Sequence, residues 1–275
     1  MATTHTMDTV TSADGTEIAF ERTGSGPPLV LINGIAGDHT RWEMFDVRPA
    51  LAQHDTIYAM DRRGLGGSGD GPEYTLEREF EDAAAIVDSI DEPANLLGHS
   101  HGATCALGGA LLTDNVRSLI LYEASVPWEI LGPYIFDEAV VSELEALLDE
   151  GENEQALVVF YREVLGLPSE ALEAFQSDPS WHARLDCAHT IPRELRAPMD
   201  AEFDLDRVSR LTIPTLVMVG GESPQWGKDA MEALDDALPN SRIAVLEGQG
   251  HFAMNTAPEL FVEEVLAFVR SPSEP

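Results

Sequence analysis

A chain of 275 residues with 44% hydrophobic side chains is long enough to bury a substantial core, and no apolar run in it approaches the ~18 residues of a membrane span. Its 49 acidic residues stand against 16 basic ones, and the resulting formal charge of -33 excludes nucleic acid and anionic membrane as partners. The two cysteines, Cys105 and Cys187, form neither a disulfide framework nor a metal spacing, and "MATTHTMDTV" has no basic start followed by an apolar segment, so a cytoplasmic protein is expected.

In chain order, the first eight or so residues read as frayed, and "EIAFERT" (17–23) is the first strand expected. "PPLVLIN" (27–33) follows and runs into a Gly-rich turn; "DTIYAMD" (55–61) is the third strand. The first clear helical period is "TLEREFEDAAAIVDSI" (75–90), and then "PANLLGH" (93–99) leads into Ser100. "VRSLILYEA" (116–124) is the next strand, and after a long gap come "PTLVMVG" (214–220), the helix "GKDAMEALDDAL" (227–238) and the strand "SRIAVLEG" (241–248). The chain closes on "TAPELFVEEVLAFVR" (256–270), where Thr256 with Glu259 forms a capping-box pattern. Short, continuously apolar strands alternating with amphipathic helices predict a doubly wound α/β fold, a mostly parallel sheet with helices on both faces. Residues 126–206 show helical periods and no strand pattern, so they are expected to form a helical cap inserted between core segments 1–125 and 207–275.

The acidic residues are spread along the chain, and Lys228 is the sole lysine. This composition resembles that of proteins adapted to molar salt, where a Debye length of ~3 Å confines the repulsion; an acidic mesophilic protein is the alternative.

"GHSHG" (98–102) fits G-x-S-x-G after an expected strand and before an expected helix, the context in which a sharp turn lifts a serine oxygen above the sheet edge. A serine needs a base, and His251 in "LEGQGHFAMNTAPE" lies downstream, at the same edge. His5 and His54 read as surface residues, His182 and His189 as cap residues, and His99 and His101 as held by the turn. His39 lies in the loop after "PPLVLIN" and could touch substrate, and Trp42, Trp128 and Tyr134 could line the pocket. The backbone amides of Ile35 and His101 are placed to hold an oxyanion, with Gly34 allowing close approach.

With these residues in view the chain resembles the α/β-hydrolase-fold superfamily over nearly its whole length. The motifs that carry the resemblance are "LVLINGIAGDHTRW", "YAMDRRGLGGSGDG", "LLGHSHG", "LILYEASVP", "PTLVMVGGESP" and "GQGHFAMNTAPE", in family order. The resemblance implies Ser100 as nucleophile, His251 as base and the Ile35 and His101 amides as oxyanion hole. It also exposes two departures. Asn33-Gly34 stands where the family commonly has His-Gly, and Ser223 stands where it commonly carries the acid. Glu123, closing the strand "LILYE", is the expected replacement, an arrangement similar to one subgroup of haloalkane dehalogenases. Glu222 is the alternative acid, a triad without an acid is the third option, and pairing of Glu123 with a cap arginine is the structural alternative for that residue.

The expected function is a serine hydrolase, carboxylesterase-like, acting on small or medium carboxylic esters, lactones or thioesters through an acyl-enzyme. A carbon–carbon bond hydrolase or lyase, or a non-catalytic ligand binder of the same fold, is the alternative. No metal constellation and no phosphate-cradling loop is found, so no cofactor is expected. The partner is a small molecule, and the protein partner allowed for is a second copy in a homodimer.

Overall fold

The computed structural model describes residues 6–125, 138–177, 181–200 and 205–271. Eight strands form one sheet in the order β1-β2-β4-β3-β5-β6-β7-β8: β1 (Thr6–Thr11), β2 (Glu17–Gly24), β3 (Pro28–Ile32), β4 (Thr56–Met60), β5 (Ala94–His99), β6 (Val116–Tyr122), β7 (Thr215–Gly220) and β8 (Ser241–Leu246). Pairs from β4 through β8 are parallel, while β1–β2 and β2–β4 are antiparallel. The chain therefore has a strand where the sequence reads as frayed. β1 alternates threonines with Met7, Asp8 and Val10 and pairs only along the sheet margin, so its burial is too slight to leave an apolar signal.

The central strands are continuously apolar because both faces are covered. Val30 and Ile32 pack with Leu76, Ile86 and Val87 of α2 (Leu76–Asp88) and Ala103, Ala106 and Leu107 of α3 (His101–Ala110). Leu29 and Leu31 face the other layer, with Val47 and Leu51 of α1 (Val47–Leu51) and Phe261 and Val265 of the C-terminal helix Pro258–Val269. Each such side chain withdrawn from water contributes about 1.5–3 kcal/mol against the chain's conformational entropy.

Between β6 and β7 the described residues are helical: α4 (Glu138–Asp149), α5 (Asn153–Val159), α6 (Ser169–Ser177), α7 (Trp181–Asp186), α8 (Ile191–Asp200) and α9 (Leu205–Val208). They share a hydrophobic cluster of their own, built from Val141, Leu144, Phe160, Tyr161, Trp181 and Leu195, which rests on Ile35, Ala36 and Phe252 of the sheet domain. After α5 the chain widens through Phe160–Val164 into a turn of π-helical pitch, with the Leu165 N–H donating to the Phe160 carbonyl. The remaining helices are α10 (Gln225–Ala237), the short α11 (Ala253–Thr256) and α12 (Pro258–Val269). The expected Thr256–Glu259 capping box is not formed. Pro258 sets the first turn of α12 and Ala257 is its N-cap, while the Thr256 hydroxyl closes α11 and donates to Gln249 Oε1. Among the described residues no helix is long and apolar enough to cross a membrane.

Candidate active site

Ser100 sits between β5 and α3 at φ 56°, ψ -126°, a conformation that costs an L-residue about 1–3 kcal/mol. Its neighbours make the turn possible. A Cβ on Gly98 would stand 2.3 Å from the Gly102 carbonyl oxygen, and one on Gly102 would stand 2.4 Å from the Ile32 and Asn33 oxygens. The strained turn is pinned on both sides: the Ser100 N–H donates to the Tyr122 carbonyl at 2.8 Å, and the Ser100 carbonyl accepts from Ala103 at 2.9 Å.

His251 follows β8, and its Nδ1 lies 2.6 Å from Glu123 Oε2. A carboxylate only accepts, so Nδ1 carries the proton and Nε2 is the basic atom of the ring. Glu123 follows β6 at φ 47°, and its side chain is 11% exposed. Its other oxygen accepts from the Gly220 N–H at 2.8 Å and the Ser223 hydroxyl at 2.5 Å. Burial alone would raise this carboxyl; the His251 hydrogen bond and charge, with the Ser223 and Gly220 donors, outweigh it and hold Glu123 below the usual glutamate value. Glu222, the alternative acid, is exposed, and its backbone N–H donates to the Gln249 carbonyl. The structure thus brings Glu123, not Glu222, to the histidine.

A depressed folded-state value means that Glu123 stabilises the fold above the unfolded pKa of about 4.3, and that this contribution is lost as pH falls through the folded value. Thermal unfolding of wild type and Glu123→Gln between pH 3 and 7 should therefore show wild type ahead at neutral pH and the gap closing below about pH 4.3. A constant gap would contradict the depressed carboxyl.

The turn carrying His251 is clamped. The Tyr122 hydroxyl donates to the Gly250 carbonyl and accepts from the Ala253 N–H. His99 Nε2 donates to the His251 carbonyl at 2.9 Å, and its ring lies 4.6 Å from the His251 ring. Burial, then the charges of His251 and Arg41, keep His99 well below the ordinary histidine value, so it is neutral and serves as a fixed donor. Phe252, next in the chain, meets the His251 ring edge-on at 5.0 Å and reaches Phe175 of the cap at 5.3 Å.

Gly34 brings the loop after β3 against the serine: a Cβ there would stand 3.0 Å from Ser100 Cβ. The orientation of the next peptide is set from behind. Arg62, fully buried, donates from Nε to the Asn33 carbonyl at 3.0 Å and from Nη2 to the Gly34 carbonyl at 3.1 Å. The Gly34 carbonyl and the Ile35 N–H belong to one planar peptide unit, so fixing the first fixes the second. The same guanidinium pairs with Glu79 of α2 at 2.7 Å and with Glu194 of cap helix α8 at 2.5 Å. The His101 N–H opens α3 and has no intrahelical acceptor, whereas its side chain is buried beneath the helix near Tyr74 and Glu79.

The profile of the family described as "Alpha/beta hydrolase family" matches residues 29–264. The chain belongs to the alpha/beta hydrolase family. An alpha/beta hydrolase of that description from Sphaerobacter thermophilus DSM 20745 has a solved structure 37% identical in sequence, with a TM-score of 0.81 over 95% of this chain and 100% of that one. The pimeloyl-[acyl-carrier protein] methyl ester esterase of Aeromonas hydrophila is 28% identical over 263 residues, 92% of this chain and 99% of the relative. The 2-hydroxy-6-oxo-6-(2'-aminophenyl)hexa-2,4-dienoic acid hydrolase of Metapseudomonas resinovorans is 25% identical over 271 residues, 94% of this chain and 89% of the relative. These relatives of the alpha/beta hydrolase family include hydrolases and an esterase.

Two expected pocket residues of this alpha/beta hydrolase lie elsewhere. The His39 ring is held 2.8 Å from Asp61 Oδ1 and faces Glu21; burial lowers its pKa, but the bond to Asp61 and the charges of Asp61, Asp38 and Glu21 outweigh burial and raise it. Trp42 is 1% exposed and stacks on Phe261 in the core. Trp128 and Tyr134 lie outside the described residues. The pocket at Ser100 and His251 is lined instead by Ile35, Arg41, Phe160, Tyr161, Arg184 and Phe252, among others. The sequence reading missed both arginines. Two groups of metal-ligating side chains converge among the described residues, Glu79–His101–Cys105 and Asp38–His39–Asp61. In the first, Glu79 holds Arg62; in the second, Asp61 accepts from the His39 ring and the Gly67 N–H.

Proposed function

We propose that the chain is a serine hydrolase of carboxylic esters, with Ser100 as nucleophile, His251 as general base, Glu123 as the acid and the Ile35 and His101 amides as oxyanion hole. The observation that carries this reading is the 2.6 Å contact between His251 Nδ1 and a Glu123 carboxylate that three donors hold, in a pocket shared with the strained Ser100. Ser100 Oγ attacks the ester carbonyl carbon while its proton passes to His251 Nε2. The carbonyl electron pair moves onto oxygen and is held by the two amides. As the tetrahedral adduct collapses, the ester C–O bond breaks and His251 returns the proton to the departing alcohol. Water, deprotonated by the same Nε2, then releases the acid and restores Ser100. A serine at the turn does not suit epoxide or haloalkane chemistry, which needs an aspartate there to form an alkyl ester.

The Metapseudomonas relative supports a second reading, carbon–carbon bond hydrolysis at the same serine, which would show as preference for a β-diketone over simple esters. A pure binder is disfavoured by the carboxylate behind His251, which the Gly220 and Ser223 donors also hold.

The test is fluorophosphonate labelling followed by intact mass, in molar KCl so that the repulsion among 49 acidic residues is screened. Wild type is expected to gain one adduct quickly, and Ser100→Ala none. His251→Gln is expected to label about 10³-fold more slowly or worse. Folded wild type that does not label would overturn the reading.

A further inference from the structure

The pocket inverts the charge of the protein around it. The chain carries three acidic residues for every basic one, yet the described residues lining the pocket include two arginines and no carboxylate. Arg41 comes from the turn His39–Trp42 of the sheet domain, and Arg184 from cap helix α7. Both are nearly fully buried, at 5% and 3% exposure. Both stand on aromatic platforms: the Arg41 guanidinium carbon is 5.6 Å from the centre of the Phe252 ring, and that of Arg184 is 5.1 Å from Phe175 and 5.7 Å from Tyr161. Arg184 Nη1 also donates to the Tyr161 hydroxyl at 2.6 Å, which leaves that hydroxyl's proton to donate in turn.

Burying a guanidinium costs several kcal/mol, and bringing two to one apolar-walled pocket adds their repulsion. An anion bound in that pocket faces both guanidinium groups and relieves their mutual repulsion. A guanidinium presents five donors in a planar fork matched to a carboxylate. The other walls, Ile35, Phe160, Val164, Leu165, Leu195 and Phe252, suit a short hydrocarbon segment.

We infer that the substrate is an ester bearing a free carboxylate, such as a monoester of a dicarboxylic acid, with the carboxylate held between Arg41 and Arg184 while the ester carbonyl meets Ser100. The inference rests on the hydrolytic reading of that site and adds the substrate class. Arg41 and Arg184 act as specificity residues that touch the remote end of the substrate, so they govern its binding more than the chemical step.

The test is calorimetric binding to Ser100→Ala, which has no turnover, so it is independent of whether Ser100 reacts. The probes are the monomethyl and dimethyl esters of succinic, glutaric and adipic acids in molar KCl. At least one monoester is expected to bind about ten- to a hundred-fold more tightly than its diester. Adding Arg41→Gln or Arg184→Gln should erase most of that preference, with partial rescue by Lys at either position. Equal binding of every pair would overturn the inference, as would absence of binding by all six, or an unchanged preference in folded Gln variants. The mono–diester comparison needs no arginine variant, so poor folding of those variants leaves the test decisive. Failure here alongside rapid Ser100 labelling in wild type removes the substrate class and leaves the hydrolase; absence of labelling removes the hydrolase whatever binds.

Discussion

Glu123→Ser lowers kcat by about 10³–10⁴-fold, and adding Ser223→Asp to the same chain restores at least about ten-fold of it. The reason lies in how the two strand ends meet. Ser223 Oγ is 2.5 Å from Glu123 Oε1, so the side chain after β7 already reaches the group that orients His251. An aspartate there can take over the carboxylate's task once Glu123 is gone. Ser223→Asp alone behaves in the opposite way: it sets two carboxylates within hydrogen-bond reach, which disfavours ionisation of one of them and weakens the fold. Steady-state kinetics on the two single variants and the double variant decide the matter. If Glu123→Ser keeps its rate, the carboxylate has no role in the chemistry; if the double variant is no better than Glu123→Ser, the acid cannot move between strands.

Arg62→Met destabilises the protein by about 3–5 kcal/mol, because it leaves the fully buried Glu79 and Glu194 without their shared cation and the Asn33 and Gly34 carbonyls without a donor. Burial, with the Glu194 charge reinforcing it, already holds Glu79 above the usual glutamate value even with Arg62 in place. Replacing all three charges, Arg62→Met with Glu79→Leu and Glu194→Leu, should return most of the lost stability, since an apolar set of similar volume needs no desolvation. It should not return activity. The Gly34 carbonyl remains without its donor, the Ile35 amide loses its fixed direction, and kcat is expected to stay at least about ten-fold down with KM little changed. Denaturant midpoints beside kcat and KM separate the two effects. Recovery of both together would make Arg62 purely structural.

Ser100 and His251 were legible as candidates because a strand–turn–helix of this sharpness demands its glycines, and because a histidine after the last strand reaches the same edge. Glu123 stood out as a charge ending the apolar run "LILY". Ser223 could be read only as a missing acid; that it donates to the acid supplied by the neighbouring strand depends on the β6–β7 register. The loop after β3 shows where sequence stops short. Arg41 and Trp42 are adjacent, yet the tight turn sends the first into the pocket and the second into the core. Nearness to the oxyanion loop does not say which face of that turn a residue takes, so proximity points to Trp42 and His39 and gives no sign of Arg41. The cap's helical periods are visible, but which of its side chains look down depends on packing of Tyr161, Phe175 and Trp181.

Phe252 links these two levels. Its ring touches the base on one side and the aromatic cluster of the cap on the other. The helical segment over the pocket therefore leans directly on the residue beside the proposed base. A change of appetite in this protein is also a change of tempo: reshaping the cap around a new substrate moves the bearing against which His251 turns.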